Sequence, residues 1–300
     1  MKTKNLLLTG ILGIALAGVL LTGCKKDSTA TTSSTDSDIT SAQDDGNANT
    51  VSNDAKSVSD AAMQTNGLHA MHGSFNFSAY YNATITWAID TTHGTGDTLY
   101  IKFPSTPTQC GDGKYREGEI IVYWPYEPGR YLWQAYLDSN VTITEQFNGY
   151  AVGDASNNVN TVSGKRTWTN EGQNQGGYEN WNFTANLTLT YANGGGTATW
   201  NSIRNNVLTE VNGTWYYSIT GSVEGVNRKG ADYTINITSP LYITAAPWWA
   251  GGCAWIEAGT ISINRAGNTN SLSVNFGTIG ACDAKAVATI NGVDYPFYMW

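Results

Sequence analysis

From Trp181 to Tyr191 apolar and polar residues alternate without a break. Trp181, Phe183, Ala185, Leu187, Leu189 and Tyr191 stand against Asn182, Thr184, Asn186, Thr188 and Thr190. A period of two predicts an antiparallel strand with one face buried and one face in water. The same rhythm marks Ile85-Trp87-Ile89, Tyr233-Ile235-Ile237, Ile261-Ile263 and Leu272-Val274-Phe276. Asn148-Gly149, Asn193-Gly194, Asn212-Gly213 and Asn291-Gly292 favour the positive-φ turns that join such strands. Ala286–Ile290, Asn291-Gly292 and Val293–Tyr298 read as one hairpin. Pro296 cannot donate to a ladder, which places its strand at an edge. No stretch shows convincing helical periodicity for three turns. Residues 67–300 are therefore expected to form one all-β domain. It is an antiparallel meander, built as a large twisted sheet, a sandwich or an open barrel.

The pattern changes at the start of the chain. Lys2 and Lys4 precede a 16-residue apolar run, Leu6 to Leu21, which ends in Leu21-Thr22-Gly23-Cys24. A charged start and a short apolar core read as a signal peptide over residues 1–23. A spanning helix wants about 20 apolar residues. The tetrapeptide resembles the bacterial lipobox, which implies cleavage before Cys24 and acylation of that cysteine. More than one acyl chain gives stable membrane anchoring. Position 25 is Lys rather than Asp, which points to the outer membrane. Lys25-Lys26-Asp27 resembles the short charged tag that sends some Bacteroidota lipoproteins to the cell surface.

Residues 25–66 hold three Lys, seven Asp and no aromatic residue. A segment so polar is expected to stay disordered, because it has little apolar surface to offset its ordering entropy. Residues 24–66 thus read as a lipidated flexible tether, holding the domain about 35 Å from the bilayer as a random coil. Val51 to Met63 is compatible with a helical turn or two.

Composition narrows the chemistry. The net charge is −8, and charged residues make up only 13%. An acidic, Lys-poor chain is a poor partner for phosphate backbones, so no nucleic-acid partner is expected. No C-x-x-C pair, H-E-x-x-H or G-x-S-x-G motif occurs. His69, His72 and His93 lack neighbouring ligands, so neither a metal nor another cofactor is expected. Glu117 and Glu119 share a strand face and could serve a glycosidase-like hydrolase, although a solvated acidic face explains them more simply. With Cys24 lipidated, Cys253 and Cys282 are the preferred disulfide pair, since both lie in the last meander. Cys110 is then a buried free thiol. The alternative leaves all three reduced.

A set of segments carries a family resemblance. They are Cys110-Gly-Asp-Gly-Lys-Tyr-Arg116-Glu-Gly118-Glu-Ile120, Thr199-Trp200-Asn201-Ser202-Ile-Arg204, Ser218 to Gly230 including Asn227-Arg228, Cys253-Ala-Trp255-Ile, and Cys282-Asp283 leading to Thr289-Ile290-Asn291-Gly292. On these the chain resembles a family of uncharacterised Bacteroidota lipoproteins. The resemblance implies a secreted, lipid-anchored β-domain and supplies no catalytic residues. Ala246 to Gly252 is longer than the family pattern. Read structurally, Trp200 and Trp255 belong to the core, and Arg116, Arg204 and Arg228 pair with Glu117, Glu119 or Glu224 on strand faces.

The expected function is that of an outer-membrane lipoprotein with a non-enzymatic β-domain, binding or structural, whose partners are the membrane and a glycan or envelope protein. One alternative is a surface glycan-binding lipoprotein using Trp248, Trp249, Trp124, Tyr126 and Trp133, since exposed aromatic planes stack on sugars. Another is the Glu117/Glu119 hydrolase. A third, suggested by the Pro296 edge strand, is an adhesin or fibre subunit.

Overall fold

The computed structural model describes residues 29–66, 76–90, 96–125, 139–177, 179–245, 252–253 and 255–299. More than half of the chain is strand, in one antiparallel 14-stranded sheet that does not close into a barrel. The strands are β1 (Thr84–Ala88), β2 (Asp97–Lys102), β3 (Thr108–Gln109), β4 (Tyr115–Trp124), β5 (Thr142–Ala155), β6 (Asn158–Gln173), β7 (Glu179–Thr190), β8 (Thr197–Val211), β9 (Thr214–Val226), β10 (Asp232–Thr244), β11 (Ala258–Arg265), β12 (Leu272–Asn275), β13 (Lys285–Ile290) and β14 (Val293–Tyr298). Each pairs with the next in sequence, except that β2 pairs with β4 and β3 joins β4 from the side. The sheet is thus all-β and a meander, as the alternation predicts.

Hairpin chemistry sets most of the register. Asn212-Gly213 (φ 52° and 81°) joins β8 to β9, and Asn291-Gly292 (φ 50° and 81°) joins β13 to β14, with both residues in the left-handed region. Asn148-Gly149 does not turn the chain. It lies inside β5, where the register shifts between Phe147 and Ala151. Opposite it, Gly118 (φ 81°) makes the matching bulge in β4. A Cβ there would fall 2.1 Å from the Gly149 carbonyl oxygen, so only glycine fits. Pro296 lies on β14, which pairs only with β13 and is an edge of the sheet.

The largest departure from expectation is α1 (Thr29–Asn66), a 38-residue helix where the sequence predicts a flexible tether. Its side chains are buried at nearly every position from Asp38 to Met63. The sheet curls round it. Residues of α1 reach β4, β5, β6, β8, the β9–β10 turn and β11. Gly46 lies against Met299, just past β14; a Cβ on Gly46 would meet Met299 Cγ at 2.8 Å. The disorder argument counts only apolar burial. It fails here because the sheet supplies charged and hydrogen-bonding partners for the polar side chains. A short second helix, α2 (Phe77–Tyr81), packs Phe77 and Tyr81 into the same core.

Cys253 and Cys282 form a disulfide, and Cys110 is a buried free thiol. The bridge closes a loop of 29 residues between the β10 and β13 regions. Its reduction should lower stability by about 3 kcal/mol in the chain-entropy account. Urea denaturation with and without reductant measures this directly, and identical midpoints would contradict it.

Candidate functional site: the buried polar helix

The inward positions of a strand in a one-faced sheet are normally apolar. Four arginines break that rule here. Arg116 is in phase with Ile120 and Val122, Arg166 with Val162 and Trp168, Arg204 with Ala198 and Trp200, and Arg265 with Ile261 and Ile263. A fifth, Arg228, sits in the turn after β9. The sequence holds six arginines, and these five all point at α1.

Taken in chain order, their partners climb the helix from its C-terminal half towards its start. Arg116 donates through Nε and Nη2 to Asp54, at 3.1 and 2.7 Å, and grips Asp112 with the same guanidinium. Arg166 bonds Glu145 on the neighbouring strand and the backbone oxygen of Ser52. Arg204 bonds Asn49 and stands 3.9 Å from Asp45. Arg228 meets Asp44 at 3.1 Å through Nε, and its backbone N–H donates to the same carboxylate at 2.7 Å. Arg265 meets Asp38 at 2.5 Å, joined by the amides of Asn268 and Asn270. Asp45 and Asp54 are nine residues apart, about two and a half helical turns, and so lie on opposite sides of the helix. Polar residues therefore face the sheet all the way round.

Aromatic rings and hydroxyls complete the lining. Trp200 donates its indole N–H to Asp45 at 2.8 Å, and Tyr150 its hydroxyl to Asp54 at 2.7 Å. Arg204 stacks over Trp200, Arg166 over Trp168, Arg228 over Tyr191 and Arg116 over Tyr81. Lys114 adds a third charge-assisted bond to Asp54, at 2.7 Å.

The carboxyls respond differently to burial. Burial alone would raise Asp54, but the charges of Arg116 and Lys114 outweigh it and hold this carboxyl well below its usual range. Burial wins at Asp45 and Asp44, which are raised despite Arg204 and Arg228. Burial likewise lowers Arg204 and raises the Cys110 thiol. The Cys110 Sγ donates to the Tyr81 carbonyl at 3.1 Å. Satisfaction is also incomplete. Arg166 Nη2, Arg204 Nε and Asn53 Nδ2 are buried with no hydrogen-bond partner among the described residues.

The residues singled out from sequence fall elsewhere. Trp124 is 1% exposed and stacks on Trp87 at 5.8 Å, so it is core and not part of a sugar platform. Tyr126, Trp133, Trp248, Trp249, Cys24, His69, His72 and His93 lie outside the described residues. Glu119 accepts from Asn148 at 3.0 Å on the outer face of β4. The ion pairs expected on strand faces are replaced: Arg116, Arg204 and Arg228 turn inward to α1. Trp200 is core, as read from sequence, and Trp255 is partly buried against it. The α1 acids were missed as a site. Their available signal was the phase of the arginines, since an inward Arg demands a buried counter-charge.

Among the described residues no group of three or more His, Cys, Asp or Glu is placed to hold a metal ion. No described helix is long and apolar enough to cross a membrane. Comparison with known proteins returns no matching family, no similar curated protein and no similar solved structure.

Proposed function

We propose that the chain is an outer-membrane lipoprotein, anchored through acyl chains on Cys24, whose β-domain is a non-enzymatic binding or structural component of the envelope. The observation that carries this reading is the Leu21-Thr22-Gly23-Cys24 sequence at the end of a short apolar run behind Lys2 and Lys4. The resemblance to Bacteroidota lipoproteins supports it. So does the interior, where the polar side chains are engaged in holding α1 and the free thiol of Cys110 is pushed up by burial.

The fold changes how such an anchor would work. Cys24 lies five residues before Thr29, where α1 begins. Five extended residues reach at most about 18 Å. The acyl chains would therefore hold the domain close against the bilayer through α1, rather than at the end of a 40-residue leash. A pull on the anchor would be transmitted to the ion pairs of the helix.

Cys24→Ser should move the protein from the membrane to the soluble fraction and remove the acyl mass from its N-terminal peptide. Continued membrane retention with an unmodified residue 24 in the wild-type protein would overturn the reading.

A further inference from the structure

Three turns of the sheet gather round the first part of α1, and a series of hydrogen bonds holds them there. On the β9–β10 turn Lys229 pairs with Asp36, and the Asn227 amide donates to the Ser41 hydroxyl at 2.9 Å and the Ser37 carbonyl at 3.1 Å. On the β11–β12 turn the amides of Asn268 and Asn270 donate to Asp38 at 2.7 and 2.8 Å. The β13–β14 turn joins through Asn291, whose amide donates to Asn270 Oδ1 at 2.7 Å. From here α1 runs towards the other end of the strands: Lys56 lies over the Tyr217 ring at 5.6 Å, near the start of β9. That other end carries the β8–β9 turn and the β12–β13 connection, where Trp215 and Ile279 are exposed and Cys253 is bridged to Cys282.

We propose that the end gathered round the start of α1 rests on the lipid headgroups, and that the end bearing Trp215 and Ile279 faces away from the membrane. This orientation rests on the acylation of Cys24 and adds to it which surface meets the bilayer. Reach favours it. The five residues from Cys24 to Thr29 extend at most about 18 Å, and the seven from Thr29 to Asp36 rise about 11 Å along the helix. Asp36, to which the β9–β10 turn is bonded, therefore lies within about 30 Å of the acylated residue. The helix continues from Asp36 to Asn66, a rise of about 45 Å, so the opposite end is the far one. Because the turns are bonded to α1 itself, the helix start and this end of the sheet move as one body. Contact here needs no affinity of its own, since the acyl chains hold it in place. A domain lying on its side would instead press the Thr, Ser and Asn residues of the outer strand faces against lipid. Surface binding to a bilayer grows with apolar burial and with attraction to anionic lipids, and those uncharged polar side chains supply little of either.

Single added cysteines test the orientation in the full acylated chain. Thr269→Cys lies beside the helix start, Thr214→Cys at the start of β9 and Ser222→Cys on the outer face of β9, all at exposed positions. Each is coupled to a fluorophore without reductant, which keeps the Cys253–Cys282 bridge closed. The protein is then reconstituted in phosphatidylcholine vesicles that carry a nitroxide quencher on a fraction of the headgroups. Flotation on a density gradient first shows whether the chain is anchored. A chain left behind overturns the lipoprotein reading, and the orientation falls with it. In the floated chain the label at position 269 should lose most of its emission, while those at 214 and 222 keep theirs. Equal quenching at 269 and 222 would mean a domain on its side, and strongest quenching at 214 a domain the other way up. Either result overturns the orientation and leaves the anchor standing, as does full emission at all three positions. Lys229→Cys, on the neighbouring turn, replaces Thr269→Cys if that variant does not fold.

Discussion

Replacing Asp54 with Ala is expected to destabilise the protein by about 3–5 kcal/mol, the cost of removing one partner from a buried ion pair. Asp54 is 3% exposed, and it accepts from Arg116, Lys114 and Tyr150. The substitution leaves the Arg116 guanidinium, which is 1% exposed, with only Asp112 to balance it. It also leaves the Tyr150 hydroxyl buried without its acceptor, which costs about 1–3 kcal/mol in its own right. Asp36→Ala is the control. Asp36 lies on the same helix and pairs with Lys229, but its side chain is 64% exposed, and its loss should cost no more than about 1 kcal/mol. Urea denaturation of both variants decides the matter. Similar effects at the two positions would mean that burial is not what gives the Asp54 pair its weight.

The same contrast explains which parts of the structure the sequence announces. Strand β7 was legible because alternation is local: each residue from Trp181 to Thr190 reports its own face. The turn at Asn291-Gly292 and the edge position of Pro296 were legible for the same reason, since a positive φ or a missing donor is a property of one or two residues. Asn148-Gly149 carries the same local signal, yet it serves a bulge. The competing factor is Gly118 on β4, which only pairing brings opposite. Helix α1 was illegible because its one apolar stripe, Ala48, Val51, Ala55, Val58 and Ala62, is short and built mostly of alanine, amid polar residues on every side. Asp45 and Asp54 lie on opposite sides of it, and their partners Arg204 and Arg116 are remote in sequence. The segment looks disordered by composition, and it is ordered by partners outside itself. The candidate site could be found only by asking why an arginine occupies an inward strand position.

The mixed behaviour of the helix carboxyls predicts how stability depends on pH. Asp54 is held below its usual range in the folded protein. Its pairing therefore stabilises fully above the unfolded value, about 3.9, and is lost as pH falls below it. Asp44 and Asp45 are raised by burial and have the opposite sign. Folding makes their ionised forms costlier, so each carries a penalty at high pH that is relieved as pH falls through its folded value towards the unfolded one. Acidification from neutral pH should first hold stability level or raise it, while Asp44 and Asp45 take up protons. Below about pH 4 stability should drop, by up to about 1.4 kcal/mol per pH unit from Asp54 alone. A series of urea denaturations from pH 8 to pH 3 should thus show a mildly acidic maximum. Asp45→Asn should flatten the neutral limb of that curve and leave the acid limb in place. A steady decline from pH 8 downwards would show that the buried carboxyls at positions 44 and 45 are as well satisfied by their arginines as Asp54 is by its own.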